Sequence, residues 1–350
     1  MATQKEIKEP AAYLEFRIEA NRDSSQLRSD VVFGGFEWLD VKAAGSRTPG
    51  YTISELSQRP PCPLRIIFAP LDLPNGRTVG DLLALYRLYS IPDEFVSERL
   101  HHVAHSFGTS EEMDGSSCSW FHFLCKNVAV QDINGVKSIV NQNRRDDKDL
   151  SQAEFSWVRS AYFLKKTPAT QGSSPQLTLI VFGGEIALWE NFDSLATKTS
   201  GQDIIDDPFC LLGTVFEVLY NRLDKIAWDL ARVYSQEEEN ILLSADHPGS
   251  AADALDFVGL HMLSKHQIYL IEAADAAMAT LDSLTAHHER LLKSYAPASE
   301  FAFRRTQDTF CHRRTMLKST NLRLKSLEKR TQNIINLVGA ERPNKQEEFC

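Results

Sequence analysis

Apolar residues never run on for long in this sequence. No stretch of about 18 occurs anywhere in its 350 residues, so no segment reads as a membrane-spanning helix. The nearest approach, Phe209 to Val233, is broken by Glu217, Arg222, Asp224, Lys225, Asp229 and Arg232, and reads as an amphipathic helix. Met1 to Pro10 is charged and lacks an apolar core, so it is not a secretory signal. Cysteine is scarce. The six are scattered, with Cys118 and Cys125 the nearest pair and no Cys-x-x-Cys, which excludes a disulfide framework and argues against structural zinc. A cytosolic, soluble chain is expected. Basic charge is also short: 38 Lys and Arg stand against 47 Asp and Glu, a net charge of −9, which argues against a nucleic-acid partner. Phosphate-binding loops, Gly-x-Gly-x-x-Gly and Gly-x-Ser-x-Gly are missing, and no enzyme is expected.

What is present is an ordinary globular composition, 43% hydrophobic and 24% charged. The first 50 residues carry weak signals, with a strand at Glu37 to Val41 and another starting at Tyr51. Leu64 to Pro70 is β-branched, apolar and bounded by prolines, which predicts a buried strand. Helices are expected at Val79 to Tyr89 and from Pro92 to about Val103. Strands are expected at Trp120 to Val128, Phe155 to Lys165 and Leu177 to Phe182. The last is a continuous apolar run suited to a sheet centre. Gly108 to Ser119 and Asn141 to Ser151 read as polar loops, and Ile186 to Leu195 as a helix.

From Asp207-Pro208 the pattern is helical. One helix follows Pro208, a second runs from about Ala251 to Ser294, and a third from Ser299 to Val338. In the third, Phe303, Thr306, Phe310, Arg313, Leu317, Thr320, Leu324, Leu327, Thr331, Ile334 and Val338 recur at spacings of three and four, a heptad seam. Its other faces are mostly basic, with Arg304, Arg305, Arg314, Lys318, Arg323, Lys325, Lys329 and Arg330. Such a helix is about 60 Å long.

Ser319-Thr320-Asn321-Leu322-Arg323-Leu324-Lys325-Ser326-Leu327-Glu328-Lys329-Arg330, followed by Asn333 to Leu337, resembles the stalk helix of fungal CorA-like magnesium transporters. Arg65 to Leu71, Ile91 to Leu100, His105 to Gly108, Trp120 to Lys126 and Phe155 to Trp157 resemble that family in the same order. The resemblance implies an α+β fold: an α/β/α sandwich with a mixed sheet, then three long antiparallel helices, the last a stalk or coiled-coil helix. The expected division is an α/β domain over residues 1–200, a long-helix domain over 201–338 and a disordered tail over 339–350. Beyond Val338 the sequence shows no membrane span and no Gly-Met-Asn signature. The resemblance therefore implies a cytoplasmic regulatory or assembly region, truncated before the spans and unable to transport by itself. The alternatives are a stand-alone coiled-coil interaction protein and, more weakly, a hydrolase.

A regulatory magnesium ion is the cofactor the resemblance implies, bound by acidic residues between copies of the chain. No residue is assigned to it, and no catalytic or cofactor residue is assigned either. The acidic groups at hand are Asp203, Asp206 and Asp207, Asp253 and Asp256, and Glu237 to Glu239; helix-start positions and solvated faces explain each of them better than a metal site does. His101-His102-x-x-His105 is the densest histidine group, but it lacks the Glu of a His-Glu-x-x-His motif and reads better as a polar helix end; His287-His288 is a weaker case. Leu317, Leu324, Leu327, Ile334 and Val338 are the expected self-association seam. The basic stalk face is expected to meet acidic neighbouring helices first and a membrane surface second.

Overall fold

The computed structural model describes residues 9–21, 31–133, 135–140, 157–169, 175–245, 257–294 and 300–340. The strands are β1 (Phe33–Trp38), β2 (Ser46–Tyr51), β3 (Leu64–Ala69), β4 (Ser106–Glu111), β5 (Ser117–Lys126), β6 (Ala129–Ile133), β7 (Val136–Val140), β8 (Trp157–Thr167) and β9 (Gln176–Phe182). The helices are α1 (Ala11–Asn21), α2 (Ile53–Gln58), α3 (Val79–Tyr89), α4 (Asp93–Leu100), α5 (Ile186–Lys198), α6 (Gly201–Asp206), α7 (Cys210–Ala245), α8 (Phe257–Ser294) and α9 (Glu300–Ala340). The class is α+β, as expected: a mixed seven-stranded sheet followed by long helices. Two compact units divide the chain. One holds Met1–Phe123, Arg159–Val215 and Asp282–Phe310; the other holds Leu124–Val158, Phe216–Leu281 and Cys311–Cys350.

In the first unit the strand order is β2-β1-β3-β9-β8-β5-β4, with β3 and β9 parallel and β1–β2, β1–β3, β8–β9 and β4–β5 antiparallel. The central strands are apolar on both faces because both are covered. Ile67, Ile180, Phe182 and Phe163 join Phe16, Leu82, Tyr86 and Phe95 from α1, α3 and α4 in one core. On the opposite face Phe68 meets Trp189 and Phe192 of α5, at ring-centroid distances of 4.6 and 6.1 Å. That is the α/β/α sandwich. Gly183 ends β9 at φ 67°, and a Cβ there would meet the Arg159 carbonyl oxygen at 2.8 Å, so the turn needs glycine.

A charged group sits inside this core. Arg99, from the last turn of α4, holds Asp72 through two nitrogens at 2.9 Å, and both are buried. His122, at the middle of β5, is fully buried; its Nδ1 lies 3.7 Å from Asp72 and its Nε2 lies 3.2 Å from the Phe95 carbonyl oxygen. Burial pushes the His122 pKa down to about 4, with the Asp72 carboxylate opposing the shift and Arg99 adding to it. Glu98, which accepts from Ser106 and Trp120, is pushed up by burial.

In the second unit β6 and β7 form a hairpin. Consecutive long helices run antiparallel, as expected, so α7 and α9 are parallel: Glu217, Asp224 and Glu238 meet Arg313, Arg323 and Arg330 in the same order. Asp275 and Gln267 of α8 meet Asn321 and Thr331 of α9 in reverse order. The seam leucines Leu317, Leu324 and Leu327 are buried within the single chain. Ile334 packs beside the Ile241, Leu260 and Ile335 cluster. The Val338 side chain lies outside the described ones.

Several boundaries differ from expectation. The first strand is Phe33–Trp38 rather than Glu37 to Val41, and Tyr51 closes a strand instead of opening one. Gly108 to Ser119 is not a loop but most of the β4–β5 hairpin; β4 is an edge strand and exposes enough polar surface to read as a turn. The helix after Pro92 stops at Leu100. Asn141 to Ser151, Phe155, Asp253, Asp256, Ser299 and residues 341–350 lie outside the described residues.

Two outcomes check this packing. Leu324→Ala removes a fully buried side chain and is expected to cost about 3 kcal/mol in urea unfolding; a loss below about 1 kcal/mol would mean the seam is not packed. The folded His122 pKa lies below its ordinary 6.5, so its contribution to stability is complete above pH 6.5 and is lost as pH falls toward 4, by up to about 3 kcal/mol. His122→Gln is expected to flatten stability across that window, and an unchanged slope would show that His122 does not titrate there.

Candidate functional site

Asp207 lies between α6 and α7, and the local sequence fixes its position. Its Oδ1 accepts from the Phe209 backbone N–H at 3.2 Å and its carbonyl oxygen accepts from the Cys210 N–H at 3.3 Å, so it turns the chain into α7 as an aspartate before proline is expected to. It also does something its sequence context does not announce. Both carboxylate oxygens lie 3.1 Å from His288 Nε2, although the two residues are 81 positions apart. Both side chains are buried.

His288 comes from the last third of α8. Its Nδ1 lies 2.7 Å from Gln307 Nε2 on α9, so the amide donates to Nδ1 while Nε2–H donates to Asp207. The ring stacks on Phe303 at 3.7 Å with 12° between planes, and meets Phe310 edge-on at 5.8 Å. Phe209 closes the cluster at 5.1 Å. Both ring nitrogens are thus engaged within the protein. The arrangement holds three elements together and leaves no free nitrogen to take a proton from a ligand.

Beside this group is a cavity of about 550 Å³. Phe209, Phe303, Leu164, Ile205, Leu291 and Leu292 supply apolar wall, and Glu111, Glu112, Asp206, Gln202 and Lys166 supply polar wall. His287 lines it as well, half-buried against Phe107 and Phe209. Burial lowers the His287 pKa, with Arg290 and His288 adding to the effect and Glu111 opposing it.

The candidate ligand groups have other roles. Asp203 accepts from the Ser200 hydroxyl at 3.0 Å, and Asp206 from Gln202 at 2.6 Å. Glu238 pairs with Arg330 and accepts from Tyr234. Among the described residues, no three His, Cys, Asp or Glu side chains are placed to hold a metal ion. The described acidic groups of one chain thus form no such cluster. His101 and His102 form the end of α4: the Val103 N–H bonds to the Glu98 carbonyl and the His102 N–H to that of Arg99. This is a Schellman ending with His102 at φ 56° where glycine is usual. His105 instead packs edge-on against Phe123. On the basic face Arg313, Arg323 and Arg330 pair with α7, and Lys325 with Asp275 of α8.

No protein-family model matches the chain, and no curated protein matches it. Its fold is similar to solved structures. Full-length CmaX superposes with a TM-score of 0.55 at 12% identity, over 92% of this chain and 82% of that one. The cytoplasmic domain of ZntB from Vibrio parahaemolyticus RIMD 2210633 gives 0.42 at 9% identity, over 88% and 99%. The CorA magnesium transporter from Methanocaldococcus jannaschii gives 0.41 at 12%, over 89% and 79%. At such identities the likeness is one of fold. Among the described residues, no helix is long and apolar enough to cross a membrane.

A double-mutant cycle tests the Asp207–His288 bond. Asp207→Asn and His288→Phe are each expected to cost about 2 kcal/mol, and the pair less than the sum by at least about 1 kcal/mol. Strict additivity in chemical unfolding would mean that the two groups do not interact.

Proposed function

We propose that this chain is a regulatory and assembly region of the CorA-like kind, in which the binding of a divalent cation between copies of the chain alters the long helices. The observation that carries the reading is where the resembling segments fall. Arg65 to Leu71 covers most of β3, Ile91 to Leu100 contains α4, Trp120 to Lys126 lies on β5, and Ser319 to Leu337 lies on α9. These positions are consistent with the layout of an α/β sandwich followed by long helices that the resemblance implies. The likeness of the whole fold to CmaX supports the same architecture.

Magnesium is hard and strongly hydrated, and a site for it needs several oxygens. Asp203 is exposed and Asp206 half-exposed, so carboxylates from two copies meeting there are the arrangement this reading calls for. Without the ion such carboxylates repel. Binding of millimolar strength is the corresponding expectation.

Limited proteolysis with and without magnesium, at equal ionic strength, tests the reading, with sedimentation run in parallel. Magnesium at about 10 mM is expected to slow cleavage several-fold and to favour the larger species. If monovalent salt protects equally well, the sensing role fails. The chain is then better read as an interaction protein built on its long helices.

A further inference from the structure

We propose that the cavity beside Asp207 and His288 binds an amphipathic organic cation, a flat apolar body of one or two rings carrying a protonated amine. This inference does not rest on the regulatory reading and stands or fails without it.

The volume of about 550 Å³ is that of a small-molecule pocket. Its walls come from several elements whose positions are set elsewhere: the β4–β5 hairpin, β8, the α6–α7 junction, and the facing ends of α8 and α9. The apolar part is broad enough for a ring system, and the Phe209 ring offers an aromatic surface beside it. The polar part decides the sign of the ligand. Glu111, Glu112, Asp206 and Asp207 contribute four carboxylates, and Lys166 is the one lysine or arginine among the described lining residues.

Some of that negative charge is already answered. Lys165 donates to Glu112 at 2.8 Å, and Asp207 receives hydrogen bonds from the neutral His288 ring and the Phe209 N–H. Asp206 receives only a neutral amide hydrogen from Gln202, and Glu111 is exposed at the wall. An anion entering here meets an excess of carboxylate, and a neutral apolar molecule leaves that excess unanswered. A cation whose head lies toward Glu111 and Asp206, with its rings among Phe209, Ile205 and Leu292, satisfies both parts.

Three probes sharing a naphthalene body separate charge from shape: naphthylmethylammonium, naphthylmethanol and naphthylacetate, each titrated calorimetrically into the full chain. The ammonium is expected to bind about tenfold more tightly than the acetate, with the alcohol between them. Glu111→Gln is expected to reduce that preference about threefold and to leave the alcohol unchanged. Leu292 is 37% exposed, so Leu292→Trp fills the space without entering the core and is expected to weaken the ammonium about tenfold. No binding of any probe at about 1 mM, or equal affinity for all three, overturns the proposal. So does unchanged ammonium binding in Leu292→Trp with a wild-type melting temperature. If Leu292→Trp melts early, the Glu111→Gln titration decides alone, and an unaltered preference overturns the proposal.

Discussion

A carboxylate taken out of water has to be answered, and in this chain Asp207 is answered by His288. The alternative is costly: a buried carboxylate stripped of its hydrogen-bond partner destabilises by about 2 kcal/mol. The pair therefore dictates where the end of α8 lies relative to the start of α7. Gln307 extends the constraint to α9 through the other ring nitrogen, and the stack on Phe303 fixes the plane of the imidazole. One side chain thus sets the mutual placement of three helix ends. The cavity beside it has defined walls for the same reason.

The long helices of the second unit are held by a different logic. Their seam is not uniformly apolar. Thr320 donates to Asp224 at 2.6 Å, Asn321 to Asp275 at 2.5 Å, and Gln267 to Thr331 at 3.0 Å, between layers of buried leucine. Leucine layers supply most of the burial energy and tolerate more than one alignment. The polar contacts tolerate only one, because a shifted helix leaves donors and acceptors buried without partners.

Much of this was legible in the sequence, and what was not has identifiable causes. The bounds of α3 are those expected, and β3 and β9 differ by one residue, because dense β-branched runs and prolines mark such elements locally. The long helices were visible from their helical apolar pattern, and α9 also from its heptad spacing. α1 was missed: its buried residues Ala12, Tyr13, Phe16 and Ala20 form a thin stripe in a charged segment, and tertiary packing completes it. β4 was read as loop because an edge strand lacks the apolar signature of a covered one. The pairing of Asp207 with His288 had no local signal at all. Aspartate before proline is explained by the turn alone, and two adjacent histidines on a helix say nothing about a partner 81 residues away.

The spacing of polar groups along α9 also limits how that helix can move. Asp224 serves both Thr320 and Arg323, and Asp275 serves both Asn321 and Lys325. A slide of one or two ångströms along the axis breaks these bonds without supplying new ones. A full turn, about 5.4 Å, does not restore them either: it puts Leu324 and Leu327, or Met316 and Ser319, where Thr320 and Arg323 now meet Asp224. Within the second unit α9 is therefore locked in one axial register against α7 and α8, and sliding is closed to it without loss of these bonds.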